Sequence, residues 1–237
     1  DLKQDADLAN VTVTGGLAID LEATSATLTS AANLGATTLS VVSTGGAATL
    51  DVTAVSPAAD MAVTSIATGN DVTVTLTAEQ ANGLTVNGTG DAIITDVALT
   101  PAADLDAVTP SAGVTIDLEA TLNTSMSAAA KIGAADLTVT STGGVGTLDL
   151  KSVTTANMKA TSITINTGAT TELTAAQADD LQIDGVGSVN VNANGQSTSF
   201  TLKGSADFTL SRLATDVDAS AVTDSLTVTT EGSTGLT

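Results

Sequence analysis

Apolar and polar residues alternate along most of the chain in short bursts. Leu39-Ser40-Val41, Leu50-Asp51-Val52, Val72-Thr73-Val74 and Leu84-Thr85-Val86 each put two aliphatics on one face and a small polar residue on the other. That period of two is the pattern of a half-buried strand. Such segments begin near Ile19, Leu28, Leu39, Leu50, Met61, Val72, Leu84 and Ile93. The starts span 93 − 19 = 74 residues in seven steps, just under eleven residues per step. Gly, Asn, Asp, Ser and Thr fill the intervals, as turns require. Two stretches break the rhythm. Thr77-Ala78-Glu79-Gln80-Ala81 and Thr174-Ala175-Ala176-Gln177-Ala178 predict single helical turns, N-capped by Thr77 and Thr174.

The pattern repeats on a longer scale. Ile19-Asp20-Leu21-Glu22-Ala23-Thr24 returns as Ile116-Asp117-Leu118-Glu119-Ala120-Thr121, an offset of 116 − 19 = 97. Ser43-Thr44-Gly45-Gly46 returns as Ser141-Thr142-Gly143-Gly144, and Thr49-Leu50-Asp51-Val52 as Thr147-Leu148-Asp149-Leu150, both at offset 98. Leu76-Thr77-Ala78-Glu79-Gln80-Ala81 matches Leu173-Thr174-Ala175-Ala176-Gln177-Ala178 at offset 97. Four anchors in one order define two copies of a unit near 97 residues. The copies fall at 17–98 and 114–195, with a partial preceding repeat at 1–16, a connector at 99–113 and a partial following repeat at 196–237.

Strands of this length at this spacing fit two all-β architectures. One is a parallel β-solenoid of about twenty residues per coil, roughly five coils to a unit. The alternative is a tandem of Ig-like β-sandwich domains, which also place seven or eight strands in about 100 residues. Composition tilts the choice. A sandwich core roughly 10 Å thick is usually filled by aromatics, and Phe200 and Phe208, the only aromatics in the chain, both lie outside the two units. Ala, Val, Leu and Thr suit the narrow interior of a solenoid.

Charge and composition narrow the function. The chain has 26 acidic and 6 basic residues, a formal charge of −20, and no His, Cys, Trp or Tyr. The usual zinc sites, Ser-His-Asp or Cys-His catalysis and thiol chemistry are thereby excluded. The charge argues against nucleic acid and anionic membrane surfaces as partners. No apolar run approaches the roughly 18 residues that would cross a bilayer, so membrane insertion is not expected. The start, Asp1-Leu2-Lys3-Gln4-Asp5, has neither an initiator Met nor a leader. It reads as a processed product or a piece of something longer.

Thr/Asp/Ala/Gly-rich strands without Cys, with phrases such as Val217-Asp218-Ala219-Ser220-Ala221-Val222-Thr223 and Leu226-Thr227-Val228-Thr229, resemble bacterial surface-layer proteins. They also resemble large repetitive proteins exported by one-step (type I) secretion. The resemblance implies an extracellular, cell-surface β-structure stabilised by Ca²⁺. It implies assembly with copies of itself into a lattice or filament, anchoring on cell-surface polysaccharide, or projection as an adhesin stalk. The glycine-rich nonapeptide of calcium-binding β-rolls is absent. In its nearest counterpart, Gly143-Gly144-Val145-Gly146-Thr147-Leu148-Asp149, the Asp comes one position late and so faces the other way.

The acidic residues still supply candidate calcium ligands. Alternation turns Asp20 and Glu22 outward, roughly 6.5–7 Å apart along a strand, and the repeat treats Asp117 and Glu119 alike. Asp51 and Asp149 face outward between aliphatics, and Asn70, Asp71, Asp91 and Asp184 sit in turns or beside them, as do Asn87, Asn190, Asn192 and Asn194. Coils stacked about 4.8 Å apart would align such carboxylates in columns that a structural Ca²⁺ could bridge. Asp20 with Glu22 also has the composition of a glycosidase pair. An open outward face, no aromatic platform and exact duplication favour structure over catalysis, so no enzyme is expected. Thr-x-Thr at 12–14, 27–29, 73–75, 138–140 and 227–229 raises ice binding as a remote alternative, but gaps of 15, 46, 65 and 89 residues match no coil spacing. Lys131, Lys151, Lys159, Lys203 and Arg212 all follow residue 130, an asymmetry suited to head-to-tail attraction.

Overall fold

The computed structural model describes residues 2–229 apart from 12, 36, 37, 120–122, 135 and 214. Thr12 of the first Thr-x-Thr and Ala120 and Thr121 of the first repeat anchor lie outside the described residues. In the first unit the elements are β1 (Leu17–Asp20), β2 (Ala26–Thr27), β3 (Thr38–Val42), β4 (Ala48–Asp51), β5 (Ser65–Thr68), β6 (Val72–Thr77), α1 (Ala78–Ala81), β7 (Thr85–Gly88) and β8 (Asp91–Thr95). The second unit has β9 (Asp104–Leu105), β10 (Gly113–Asp117), β11 (Asn123–Ser125), β12 (Lys131–Ile132), β13 (Asp136–Thr140), β14 (Gly146–Asp149), β15 (Ser162–Ile165), β16 (Ala169–Thr174), α2 (Ala175–Ala178), β17 (Gln182–Gly185) and β18 (Ser188–Asn192). It is followed by β19 (Phe200–Gly204), β20 (Asp207–Ser211), β21 (Val217–Val222) and β22 (Leu226–Thr229).

Every strand pairing among the described residues is parallel, which excludes the antiparallel sandwich. The chain is a β-solenoid of about nine turns. Each coil has an opening strand, a closing strand and a third side of turns and short bridges. The third side lengthens the coil beyond expectation. Leu17 pairs with Leu39, Leu39 with Ile66 and Ile66 with Val86, steps of 22, 27 and 20 residues. One unit therefore makes four coils, not five. The strand expected at Met61 is absent: Met61 lies on the third side and β5 starts at Ser65. Residues 1–16 and 99–113 hold equivalent places, since Asp7 bridges Asn33 much as Asp104, 97 positions on, pairs with Lys131. The stretch 99–113 thus stacks with the neighbouring coils, Asp104 and Leu105 on β12 and Val108 on Val86.

The sheets do not follow the units. One is β1-β3-β5-β7, the opening strands of the first unit. A ten-stranded sheet begins with that unit's closing strands, β2-β4-β6-β8, and continues with the second unit's opening strands, β10-β13-β15-β17, then β19 and β21. The second unit's closing strands start a new sheet, β11-β14-β16-β18-β20-β22. The switch occurs where β10 settles on β8, Val114 against Ala92 and Ile116 against Ile94. Just before it, residues 107–112 lie on β7: Thr109 N–H donates to Val86 (2.7 Å), Val86 N–H to Ala107 (3.0 Å) and Ser111 N–H to Gly88 (2.9 Å). Val108, bridged to Val86, is completely buried there.

The core is a set of aliphatic columns. Ala26, Leu50, Val74, Ala92, Val114, Leu137, Ile163 and Ile183 stack one per coil, all buried. Leu76, Ile94, Ile116, Val139 and Ile165 form the neighbouring column. In so narrow an interior these side chains meet across the coil without aromatics, and packing density near that of a crystal is reached with small aliphatics. Phe200 and Phe208 are buried in the later coils.

Candidate functional site

The carboxylates expected to hold a cation are used to fold the corners of the coil. Asp20 ends β1, and its Oδ1 accepts from Glu22 N–H (3.1 Å) and from Thr44 N–H in the next coil (3.2 Å). Thr44 Oγ1 also donates to Oδ2 at 3.1 Å. Asp117 repeats the arrangement with Glu119 N–H (3.0 Å), Thr142 N–H (3.2 Å) and Thr142 Oγ1 (3.0 Å). The Ser-Thr-Gly-Gly phrase is therefore the upper half of a clamp whose lower half is Asp-Leu-Glu. Glycine is needed in it: a Cβ on Gly45 would come within 2.4 Å of the Ala23 Cβ.

Glu22 and Glu119 are not strand partners of those aspartates. Both turn the corner with φ of +46° and +48°, which breaks the expected extended spacing. Leu21 and Leu118 between them remain buried. Both glutamates are exposed residues in left-handed positions that residues other than Gly, Asn and Asp rarely take.

Asp51 and Asp149 fold their own corners in the same way, accepting from Thr53 N–H and Lys151 N–H at 3.0 Å each. Asp7, Asp104 and Asp218 do likewise two residues on. These are Asx turns, in which a short carboxylate satisfies the backbone where the ladder stops. Asp184 works across coils, accepting from Ser205 N–H (3.0 Å) and Gln182 Nε2 (2.9 Å). Asp71 takes a left-handed φ of +59° and its carbonyl accepts from Ala48 N–H, beside exposed Asn70. Asp91 opens β8 between Thr73 and Gly113. Asn190 and Asn192 lie within β18, where Asn192 accepts from Asn194 N–H, and Asn87 is exposed on β7.

The expected acidic columns do not form. The ladder neighbours of Asp20, Asp51, Asp91, Asp117 and Asp184 are Val, Thr or Gly. Among the described residues only Asp149 stacks on another carboxylate, Glu172, and Lys151 bridges the two. Among the described residues no three acidic side chains converge on a point.

Charges follow the same corners. Backbone N–H donation from Glu22, helped by Thr44, holds Asp20 below the usual carboxylate range. The Gln182 amide and Ser205 do so for Asp184, and the Lys131 ammonium for Asp104. Lys131 is raised in return. Burial works against the charge on Lys151, but the hydrogen bond to Glu172 and the charge of Asp149 outweigh it and raise its pKa. Glu119 moves the opposite way to the aspartates: burial, then the charges of Asp96, Asp117 and Asp51, push it up. Three of the late lysines form ion pairs within the chain. Lys131 pairs with Asp104, Lys159 with Asp106 at 2.5 Å, and Lys203 with Asp180 at 2.7 Å.

Sequence reasoning passed over two buried amides. Gln80 and Gln177, read only as parts of helical turns, are about 94% and 93% buried. Each completes a capping box with its threonine and donates through Nε2 to two carbonyls of the coil before: Val52 and Val55 for Gln80, Leu150 and Val153 for Gln177, all at 2.6–2.7 Å. Their duplication at offset 97 was the signal. Beside each helical turn lies a groove, about 300 Å³ over Met61 and about 350 Å³ over Met158, formed by equivalent positions in the two units. Thr residues also align better in space than in sequence: Thr115, Thr138 and Thr164 stack in one outward column, because the third side absorbs the uneven gaps. Asp51, Ile93 and Asp184 interrupt that column.

No known protein family, curated protein or solved structure matches this chain.

Proposed function

We propose that this chain is a structural, self-assembling building block of a bacterial surface layer or extracellular filament. The observation that carries the reading is the duplicated use of the carboxylates. Asp20 and Asp117, and Asp51 and Asp149, form the same corner hydrogen bonds in both units. Chemistry spent on the scaffold, and spent identically every 97 residues, serves a regular rod better than a reacting centre.

Calcium enters this reading as a structural ion that can also bridge molecules. Copies that each carry −20 repel one another, and a divalent cation accepting carboxylate oxygens from two surfaces removes that repulsion. Negative-stain electron microscopy of the purified chain, with Ca²⁺ and then with chelator, tests the reading. Sheets or fibres that dissolve on chelation support it. Isolated rods in both conditions sink it in favour of an adhesin stalk, where stiffness and reach are the function.

A further inference from the structure

Three Asn-Gly pairs occur in the chain, Asn82-Gly83, Asn87-Gly88 and Asn194-Gly195, and the fold treats them differently. All six residues are exposed, so access to water does not separate them. A glycine has no Cβ to keep its backbone nitrogen away from the amide carbon of a preceding asparagine. Attack of that nitrogen on Cγ closes a cyclic imide. The attack requires a backbone N–H that can shed its proton and an Asn side chain free to swing onto the main chain.

Hydrogen bonds hold the first pair. Gly83 N–H donates to the Asp104 carbonyl (2.8 Å) and Asn82 Oδ1 accepts from Asp104 N–H (2.8 Å), so the next coil occupies both reacting groups. Packing holds the second. Asn87 and Gly88 lie within β7, paired with Ala67 and Thr68 of β5. The Asn87 carbonyl accepts from Thr68 Oγ1 (3.0 Å) and the Gly88 carbonyl from Ser111 N–H (2.9 Å). A Cβ on Gly88 would come within 2.1 Å of the Thr68 carbonyl, a measure of how little the backbone can move there.

The third pair has neither constraint. Asn194 and Gly195 form the centre of a turn between β18 and β19, closed by Gln196 N–H on the Ala193 carbonyl (3.1 Å). Among the described residues nothing accepts from Gly195 N–H and nothing holds the Asn194 side-chain amide. Asn194 is tethered through its own N–H, which donates to Asn192 Oδ1 at 2.9 Å and leaves the amide carbon free. Gly195 has a φ of +76°, and a Cβ on it would meet nothing within 4 Å.

We propose that Asn194 is a site of spontaneous deamidation in the folded chain, and that the fold preserves Asn82 and Asn87 as asparagine. The Gly195 nitrogen bonds to Asn194 Cγ, the Cγ–Nδ2 bond breaks, and Nδ2 leaves as ammonia with the proton of the Gly195 N–H. Water then opens the imide at either carbonyl. One opening leaves aspartate, and the other leaves isoaspartate, whose main chain runs through the former side chain. Water is the sole co-reactant. Either product fixes a new carboxylate at one turn of the solenoid, and isoaspartate also lengthens that turn. The inference is independent of the self-assembly reading.

The test incubates the purified chain near neutral pH, folded and in guanidinium chloride, and follows each asparagine by mass spectrometry. Cleavage after glutamate places Asn82 and Asn87 in the peptide Gln80–Glu119 and Asn194 in Leu173–Glu231, and fragmentation locates the change within each. In the folded chain Asn194 should convert to isoaspartate and aspartate. Asn82 should react about thirty-fold more slowly, because two hydrogen bonds must open first. In denaturant the three rates should converge, since each site is then an asparagine followed by glycine. Gly195→Ala should slow conversion at Asn194 and leave the other two sites unchanged. Equal rates in the folded chain, or faster conversion at Asn82 or Asn87, overturns the proposal. A folded Asn194 protected as strongly as Asn82, relative to its own rate in denaturant, overturns it as well.

Discussion

Replacing Gln177 by Met removes the buried amide while keeping most of its volume. The native side chain donates to the Leu150 and Val153 carbonyls at 2.7 Å each and accepts from Thr174 N–H at 2.7 Å. The Leu150 carbonyl keeps a second partner, Val153 N–H at 2.9 Å, so it is not orphaned. Two groups are left without partners, the Val153 carbonyl and the Thr174 N–H. A buried polar group stranded in this way costs about 1–3 kcal/mol, so the variant should lose about 2–6 kcal/mol. Gln80→Met strands the Val55 carbonyl and Thr77 N–H by the same logic. The two sites lie four coils apart, roughly 19 Å, so their effects should add. Urea unfolding followed by far-UV circular dichroism is the assay, because the chain has no Trp or Tyr to fluoresce. A loss below about 0.5 kcal/mol for either single variant would refute the reasoning, since it is smaller than one stranded group. Gln177→Glu supplies a second check. Its carboxylate faces carbonyls at neutral pH and gains a donor when protonated, so its deficit should shrink on acidification.

Other expectations follow from the same accounting. Thr171 is fully buried with an unpartnered hydroxyl, where the first unit has Val74; Thr171→Val should stabilise by about 1–2 kcal/mol in urea melts. Gly133→Ala would put a Cβ within 2.4 Å of the Asp106 backbone and should cost more than Gly144→Ala, which meets nothing within 4 Å and bears only the strain of φ +123°; equal losses in the two melts would refute this. The depressed carboxyls of Asp20, Asp104, Asp184 and Asp218 contribute stability that is complete above the ordinary value of 3.8 and lost as pH falls through their lower folded values. Glu119, raised from 4.5, destabilises the fold when ionised, so acidification from pH 7 should first raise the urea midpoint and then lower it below about pH 4. Glu119→Gln should abolish the initial rise. Lys131 and Lys151, both raised from 10.5, should hold their contribution below that value and lose it as alkaline pH passes their folded values.

The alternation of aliphatics with Thr and Asp identified strands but fitted a sandwich as well as parallel coils, and the lack of aromatics in the two units tilted the choice, because an inward column needs only one small aliphatic per turn. The helical turns at Thr77 and Thr174 were legible for the same local reason: a cap and a Gln three residues on. Met61 misled because an apolar residue on the third side buries as deeply as one on a strand. The carboxylates misled more. Outward alternation correctly placed Asp51 and Asp149, but nothing in a strand pattern says that an Asp at a strand end will fold back onto the N–H two residues later. The exchange of faces was illegible from periodicity alone, since opening and closing strands carry the same pattern and differ only in what they stack on.

That exchange changes how the rod breaks. In a stack whose sheets all ended at the same level, one transverse plane would hold every seam, and tension along the axis would find it. Here the ten-stranded sheet runs unbroken past the level where one neighbour stops and another starts. The two units are spliced as a carpenter laps two short timbers into one beam, with the joints staggered along the length. Pulling them apart means opening the hydrogen bonds of a continuous ladder as well as parting a seam.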